Sequence, residues 1–514
     1  MRRPCVFLVG AGPGDPGLIS VRGHRYLAAA DVVVYDHLVH PGLLKDARAD
    51  AELIDVGAAS PKPLQQEAIS YLLAEKARDG HIVVRLKWGD PFVFDDGGKE
   101  ALYLAEQQVP FEVVPGIPAA IGAPCYAGVP VTYPDAGDVL TLVRGHESEG
   151  QELPTLDWNH LANLGGTIVC YAGPRQLPRI IDALVENGRK RDETAAVIYN
   201  GTLPDQHTIV GTLDEIARAA RQTADRLPAI LIVGAVVGLR PHLRWFETRP
   251  LFGRRVLVTR TPAQARELVT RLEELGASTI EAPMIRVVEP DDLEALEAAC
   301  ARIDTFQWIV FTSVNSVDYF MQRLLSGARD VRDLKGVSLC AIGPATASKL
   351  TKYGLKVNLM PAEFHAEAIV NVLKATADLQ GTRVLLPHAD IARERLADAL
   401  RDGGADVSEV VAYRTVPVSV ETPGHPDVYR LLLDGAIDIV TFTSASTVRN
   451  FASQIGVEPA RDLLRATTVA CIGPVTADAA AALGIEVQVV PATYTVPGMV
   501  DAIVAHERTR QDTA

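Results

Sequence analysis

The string FTSVNSV, Phe311 to Val317, returns as FTSASTV, Phe442 to Val448. A second phrase returns with it: IGPATA from Ile342 and IGPVTA from Ile472, with Gly354 matched by Gly484. A repeat at about 130 residues is far longer than a solenoid period, so the second half holds two similar lobes. Each phrase has a physical layout. In WIVFTS an apolar strand ends at Phe311 or Thr312, and Ser313 precedes Val314, Val317, Phe320 and Leu324 at helical spacing. Ser313 is therefore expected to cap a helix, and Ser444 to repeat it. In CAIGPATASKLTKYG the strand ends at Ile342, Gly343 turns the chain, Pro344 opens a helix and Gly354 closes it. Helix N-termini at strand ends offer N–H groups and a positive dipole end to carboxylates or phosphates. One such cap is ordinary. Two matching pairs point to a cleft that takes a large anion from both sides.

Short apolar runs alternate with helical patterns along the rest of the chain: CVFLVG, DVVVY, HIVVRL, TIVCY, AILIVG, RVLVT, WIVFT, RVLLP and DIVTFT. Such strands belong to parallel or mixed sheets covered on both faces, so the fold class is α/β. The length of 514 residues suggests three to four compact units. A boundary falls in RWFETRPLFGRR, Arg244 to Arg255, where Pro250 and polar residues interrupt the pattern. A softer division lies near Tyr133 to Asp138, and loops are expected over Arg144–Pro154 and Ser419–Asp427. The tail HERTRQDTA is expected to fray.

The formal net charge of −14 argues against nucleic acid and anionic membranes as partners. A polyanionic substrate must then be held by local Arg, Lys and backbone N–H groups. Cys5, Cys125, Cys170, Cys300, Cys340 and Cys471 show no C-x-x-C spacing, which points to reduced thiols, a cytoplasmic setting and no metal site. The apolar run after MRRP is too short for a signal peptide, and no run of 18 apolar residues is present to span a membrane.

VFLVGAGPGDPG follows a strand and superficially suggests a dinucleotide fingerprint. Asp15 stands at the third fingerprint position, and Pro13 and Pro16 keep a helix from starting there. An extended loop is expected instead, with the next helix beginning at a Ser20 cap.

LFGRRVLVTR, WIVFTSVNSV, IGPATA, VAYRT, DIVTFTSAS and IGPVTA, in that order over Leu251 to about His506, resemble uroporphyrinogen-III synthase. The resemblance implies residues 252–508 form one domain of two α/β lobes, 252–284 with 417–508 and 285–416, joined by two crossings. It implies cyclisation of hydroxymethylbilane, with loss of a hydroxyl and inversion of ring D, in the cleft between lobes. Tyr413 is the candidate acid, although it also reads as a connector aromatic packed beside the lobes. Ser313, Thr346, Ser444 and Thr476 are candidate substrate contacts, whereas His365 and His388 read as solvated loop residues.

GAGPGDPG, ADVVVYDHLV, RLKWGDPFVF, GGKEALYLAE, FEVVPGIPAAIGAPCYAGVPVT and LPAILIVGAVV resemble uroporphyrinogen-III C-methyltransferase, a tetrapyrrole methylase. The resemblance implies that residues 1–247 form two α/β subdomains with S-adenosyl-L-methionine between them. It also implies two methylations of uroporphyrinogen III to precorrin-2, and a homodimer. Asp36, just past a buried strand, would be the proton acceptor; it also fits a helix cap. Pro13, Trp88, Gly89, Asp90, Val93, Pro118, Ala119, Ala172 and Gly201 match the cofactor positions. Trp88, Asp95, Asp96, Pro118 and Ala172 differ from the family residues, and Ala58 replaces its proposed proton-donor lysine. Two alternatives stay open for this half: a different tetrapyrrole methylase, or an inactive module for dimerisation or ligand sensing.

Overall fold

The structure, a computed structural model, describes every residue except 1–4, 58, 59, 61, 62, 137, 146–152, 154, 174, 175, 223–228, 363–365, 377, 391–394, 419–425 and 514. Ala58, His365 and most of the two expected loops, over 144–154 and 419–427, lie outside the described residues.

The strands in chain order are β1 (Cys5–Gly10), β2 (Val32–Tyr35), β3 (Glu52–Asp55), β4 (Ile82–Lys87), β5 (Phe111–Val114), β6 (Leu140–Arg144), β7 (Thr167–Ala172), β8 (Thr194–Tyr199), β9 (His207–Thr212) and β10 (Ala229–Val233). They continue as β11 (Arg255–Val258), β12 (Ser278–Glu281), β13 (Ile285–Val288), β14 (Trp308–Phe311), β15 (Ser338–Ala341), β16 (Arg383–Ala389), β17 (Asp406–Pro417), β18 (Ile439–Phe442) and β19 (Thr468–Cys471). The described strands make four sheets, ordered β3-β2-β4-β1-β5, β6-β7-β10-β8-β9, β12-β11-β18-β19 and β13-β17-β16-β14-β15.

The first sheet is parallel throughout. Val6, Leu8, Val32, Val34 and Val83 pack on one face and Val9, Val33, Val84 and Leu86 on the other. Burial of both faces is why its strands read as unbroken apolar runs. The second sheet is mixed: β6 runs parallel to β7, and β10 lies antiparallel between β7 and β8.

In the third and fourth sheets the repeated phrases occupy equivalent places. β14 lies beside β15 and β18 beside β19, all parallel, and each strand feeds a helix. Ser313 caps the helix Val314–Ser326, its Oγ accepting from Ser316 N at 3.0 Å. Ser444 caps Ala445–Ile455, accepting from Thr447 N at 3.2 Å. Pro344 and Pro474 open the helices Pro344–Lys352 and Pro474–Ala481. Gly354 and Gly484, at φ +79° and +74°, take the left-handed turn that ends each. β13 and β17 pair antiparallel from Ile285↔Pro417 to Val288↔Arg414, which makes the two-stranded crossing.

Two expectations are corrected. His388 is no loop residue: it lies on β16, its side chain 17 % exposed, with Nε2 3.7 Å from Glu409. The C-terminal tail does not fray, because the helix Val496–Thr513 runs almost to the end. Glu507 on that helix is buried and takes Arg254 Nε at 2.7 Å, and this ion pair docks the tail.

Contacts gather the chain into two compact units: residues 1–255 with 270–279 and 504–514, and residues 256–269 with 280–503.

Candidate active sites

In the first unit the C-terminal ends of β1 and β4 meet the loop after β5. Gly12 and Gly89 exchange backbone hydrogen bonds, N–H to O, at 3.2 and 2.8 Å. A Cβ on Gly10 would lie 2.5 Å from the Gly116 backbone, and one on Gly116 would lie 2.1 Å from Gly89 O. Only glycine lets the three segments close so tightly. Ser20 caps the next helix, as its sequence position implied, and the loop between holds Asp15, which accepts from Gly17 N at 2.7 Å.

A cavity of about 270 Å³ opens above these strand ends, lined by Asp36, His37, Trp88, Gly89, Asp90, Val93, Phe94, Asp95 and Tyr171 among others. Five of the residues singled out from the sequence are thereby brought together: Asp36, Trp88, Gly89, Asp90 and Val93. Asp90 is braced by backbone, its two oxygens accepting from Phe92 N at 2.8 Å and Gly116 N at 2.9 Å. Trp88 donates from Nε1 to Pro13 O at 2.9 Å and meets Tyr171 edge to face. Phe94 meets the same tyrosine edge to face at 5.4 Å.

Pro13, Pro118, Ala119, Ala172 and Gly201 are not in that wall. All but Ala172 gather around the helix Ala119–Tyr126, which Pro118 precedes, whereas Ala172 packs in the core on the other face of the second sheet. Within that helix, a Cβ on Gly122 would touch Pro13 Cγ at 2.6 Å. A Cβ on Gly201 would touch Ala123 Cβ at 2.3 Å. Ala172 ends β7 beside Tyr171, whose hydroxyl accepts from Ala120 N at 3.2 Å.

Behind Asp36 stands a buried charge cluster that the sequence reading missed. Arg85, 2 % exposed, gives Nη2 to Asp36 Oδ1 at 2.8 Å and Nε to Glu100 Oε1 at 3.1 Å. Lys87, 1 % exposed, reaches Glu100 at 3.0 Å and Asp95 Oδ1 at 2.8 Å. Arg85 and Lys87 sit at alternate positions of one strand and therefore share a face. Two cations inside the otherwise apolar run IVVRLK were the available signal, since buried charges are found paired. Burial lifts the Asp95 carboxyl above its ordinary range, and Lys87 pulls it partly back.

In the second unit Tyr413 lies on β17 where pairing with β16 shifts register between His388 and Ala389, a bulge that re-aims the strand. Its ring is 8 % exposed and stacks on Tyr319 at 5.9 Å. Its hydroxyl lies 3.1 Å from Ser313 Oγ, so the candidate acid and one helix cap share a hydrogen bond. Burial raises the Tyr413 hydroxyl above its ordinary value, and Ser313 and Asn315 oppose that rise.

Thr346 and Thr476 stand in the first turns of the helices opened by Pro344 and Pro474, each 4 % exposed. Neither hydroxyl is bonded to another described group, so both are available to a ligand. Ser444 is occupied differently from Ser313, its Oγ lying 2.9 Å from Ser446 Oγ. Gln264 Nε2, in the first turn of Pro262–Glu274, donates to Asn315 Oδ1 at 3.4 Å. That contact brings the first turn of a helix from the third sheet against the cap region of one from the fourth.

Comparison with known proteins supports both halves. The family model described as tetrapyrrole (corrin/porphyrin) methylases matches residues 6–217, and that described as uroporphyrinogen-III synthase HemD matches residues 266–501. A porphyrin biosynthesis protein HemD of Ruminiclostridium josui is 37 % identical over 98 % of this chain and 98 % of its own. An S-adenosyl-L-methionine-dependent uroporphyrinogen III methyltransferase of Methanosarcina barkeri is 45 % identical over 46 % of this chain and 94 % of its own. The crystal structure of a uroporphyrin-III C-methyl transferase from Thermus thermophilus, complexed with S-adenyl homocysteine, is 35 % identical. It covers 46 % of this chain and 99 % of that one, with a TM-score of 0.40.

The protein is thus a two-part tetrapyrrole enzyme, methyltransferase first and synthase second. The chain belongs to the porphyrin-biosynthesis family in which a tetrapyrrole methylase and a HemD-type uroporphyrinogen-III synthase share one polypeptide.

Proposed function

We propose that residues 252–508 cyclise hydroxymethylbilane to uroporphyrinogen III, and that residues 1–247 methylate this product twice to precorrin-2 with S-adenosyl-L-methionine. The observation that carries the methylase reading is the cavity wall itself: Asp36 faces it while Arg85 grips the same carboxylate from behind.

The cavity suits the donor chemically. Aspartates at its wall offer acceptors to hydroxyl and ammonium groups, and Trp88, Phe94 and Tyr171 offer flat apolar faces. The donor supplies an electrophilic methyl group. Asp36 takes the proton that must leave the tetrapyrrole after a new carbon–carbon bond forms, and Arg85 keeps that carboxylate aimed at the cavity. Trp88, tied to Pro13, fixes the loop at the cavity mouth.

In the synthase half, ring closure eliminates the terminal hydroxyl as water and folds a flexible chain so that its last ring inverts. Tyr413 is positioned by Ser313 to protonate the departing hydroxyl. Thr346, Thr476 and the helix ends beneath them hold carboxylates of the substrate and enforce the fold that permits inversion. A homodimer through the methylase half and a cytoplasmic setting accompany this reading; among the described residues no helix is long and apolar enough to cross a membrane.

Two assays test the pair. Hydroxymethylbilane should give the type III isomer by chromatography, and uroporphyrinogen III with S-adenosyl-L-methionine should give a product two methyl groups heavier. Absence of the second product, with cyclisation intact, would leave the first half without the proposed activity.

A further inference from the structure

Buried β-branched residues rarely take left-handed backbone. Thr202, in the turn between β8 and β9, does so: its φ is +72° and it is 1 % exposed. Asn200, two residues earlier, is also left-handed at +49°, but asparagine tolerates that region. A strained threonine persists only where its surroundings hold it. Here they do. Thr202 N donates to Gln206 Oε1 at 2.8 Å, and the buried Gln206 donates in turn from Nε2 to Glu247 Oε1 at 2.9 Å. Glycine would take this backbone conformation without the strain. What glycine lacks is the hydroxyl.

That hydroxyl has a definite task. Thr202 Oγ1 accepts from Asp15 N at 3.0 Å, across 187 residues of sequence. Asp15 belongs to the glycine-rich loop that follows β1, and this loop is tied on two sides. Gly12 pairs with Gly89, and Pro13 O takes Trp88 Nε1, which fixes the loop to the end of β4. On the other side Asp15 Oδ2 accepts from the Tyr126 hydroxyl at 2.7 Å, and Asp15 N reaches Thr202. Burial and the Asp15 carboxylate both raise the Tyr126 hydroxyl above its ordinary value, so it stays a donor. The loop and the turn meet closely. A Cβ on Gly14 would lie 2.8 Å from Thr202 Oγ1 and 3.1 Å from Gly201 O. Pro13 and Gly201, two of the cofactor positions named from the sequence, therefore flank the Asp15–Thr202 bond on either strand of the junction.

Resting on the reading that S-adenosyl-L-methionine is the donor, we propose that Thr202 is a positioning residue for it: its hydroxyl latches the loop after β1 to the β8–β9 turn and so sets Pro13 and Gly201 at the spacing the donor needs. The strained backbone is retained because only a side chain with a hydroxyl at that point closes the latch. Without it the loop spends less time in the closed arrangement, and apparent donor affinity falls with the closed fraction. Thr202 touches no reacting atom in this account, so turnover at saturating donor survives its loss.

Three variants separate the hydroxyl from the strain. Thr202→Ser keeps the hydroxyl and loses the branch, Thr202→Val keeps the branch and loses the hydroxyl, and Thr202→Gly loses both. Donor affinity, measured by calorimetry on the full chain with S-adenosyl-L-methionine, should follow the hydroxyl. Thr202→Ser should match the parent, and Thr202→Gly and Thr202→Val should bind about tenfold more weakly, the order of one lost hydrogen bond. In methylation of uroporphyrinogen III the KM for the donor should rise by the same factor with kcat retained. Melting temperature should follow the backbone instead, with Thr202→Val lowest and Thr202→Gly above it. Unchanged donor affinity in Thr202→Gly, or affinities that fall in the order of the melting temperatures, would overturn the proposal. If Thr202→Val does not fold, Thr202→Ser and Thr202→Gly still decide the matter, since both relieve the backbone and only one keeps the hydroxyl. A parent without affinity for S-adenosyl-L-methionine would instead sink the methyl-donor reading on which the latch rests.

Discussion

Asp36 shares its buried partner Arg85 with Glu100, so its charge is both a base and part of a structural group. Asp36→Asn preserves shape and an acceptor for Arg85 while removing the base. Methyl transfer should fall by about 10²–10⁴-fold, the usual contribution of a positioned base, while donor binding measured by calorimetry stays nearly intact. Methylation at the parent rate would reduce Asp36 to a holder of Arg85. Tyr413 makes a prediction about pH. As an acid it acts only while protonated, and burial raises it above 10.0. Cyclisation should therefore hold through neutral pH and fall only as pH rises through that elevated value. Tyr413→Phe should lower the rate and remove the alkaline limb from the pH–rate profile. A variant with unchanged rate would return Tyr413 to a packing role against Tyr319.

At the scale of elements, the paired helix ends carry the argument. Thr346→Val and Thr476→Val each remove a free hydroxyl from a buried first turn. Each should cost substrate binding roughly 1–3 kcal/mol where a carboxylate loses its donor. Together they should raise the share of the type I isomer, because closure without inversion then competes. If the threonines only pack their helices, the double variant melts earlier and keeps its isomer ratio. The buried cluster makes a stability prediction instead. Glu100→Ala removes the buried carboxylate that Arg85 and Lys87 share, leaving each with one partner, and should destabilise the first unit by about 3–5 kcal/mol in a thermal or denaturant melt. A change within error would mean that Asp36 and Asp95 compensate the two cations alone. These elements also show what the sequence could reveal. Caps at Ser20, Ser313 and Ser444 were legible because capping is local, set by one hydroxyl and the spacing after it. The Arg85–Glu100–Lys87 group was not, since its members lie on different elements and meet only once the sheet and the helix Gly97–Glu106 pack. The tail was misjudged for the same reason: Glu507 finds Arg254 far away in sequence.

For the molecule as a whole, two catalytic halves on one chain imply that each folds alone. Fragments 1–247 and 252–508 should both be soluble and cooperative in melting, and the second keeps both Arg254 and Glu507. Two insoluble fragments would count against the division. The central claim is that one half makes what the other consumes. The most direct measurement is a time course of the purified full chain with hydroxymethylbilane, run with and without S-adenosyl-L-methionine and followed by mass and isomer chromatography. Without the donor, type III uroporphyrinogen should accumulate; with it, that species should appear briefly and give way to a product two methyl groups heavier. Accumulation of the same unmethylated tetrapyrrole in both reactions would contradict the account.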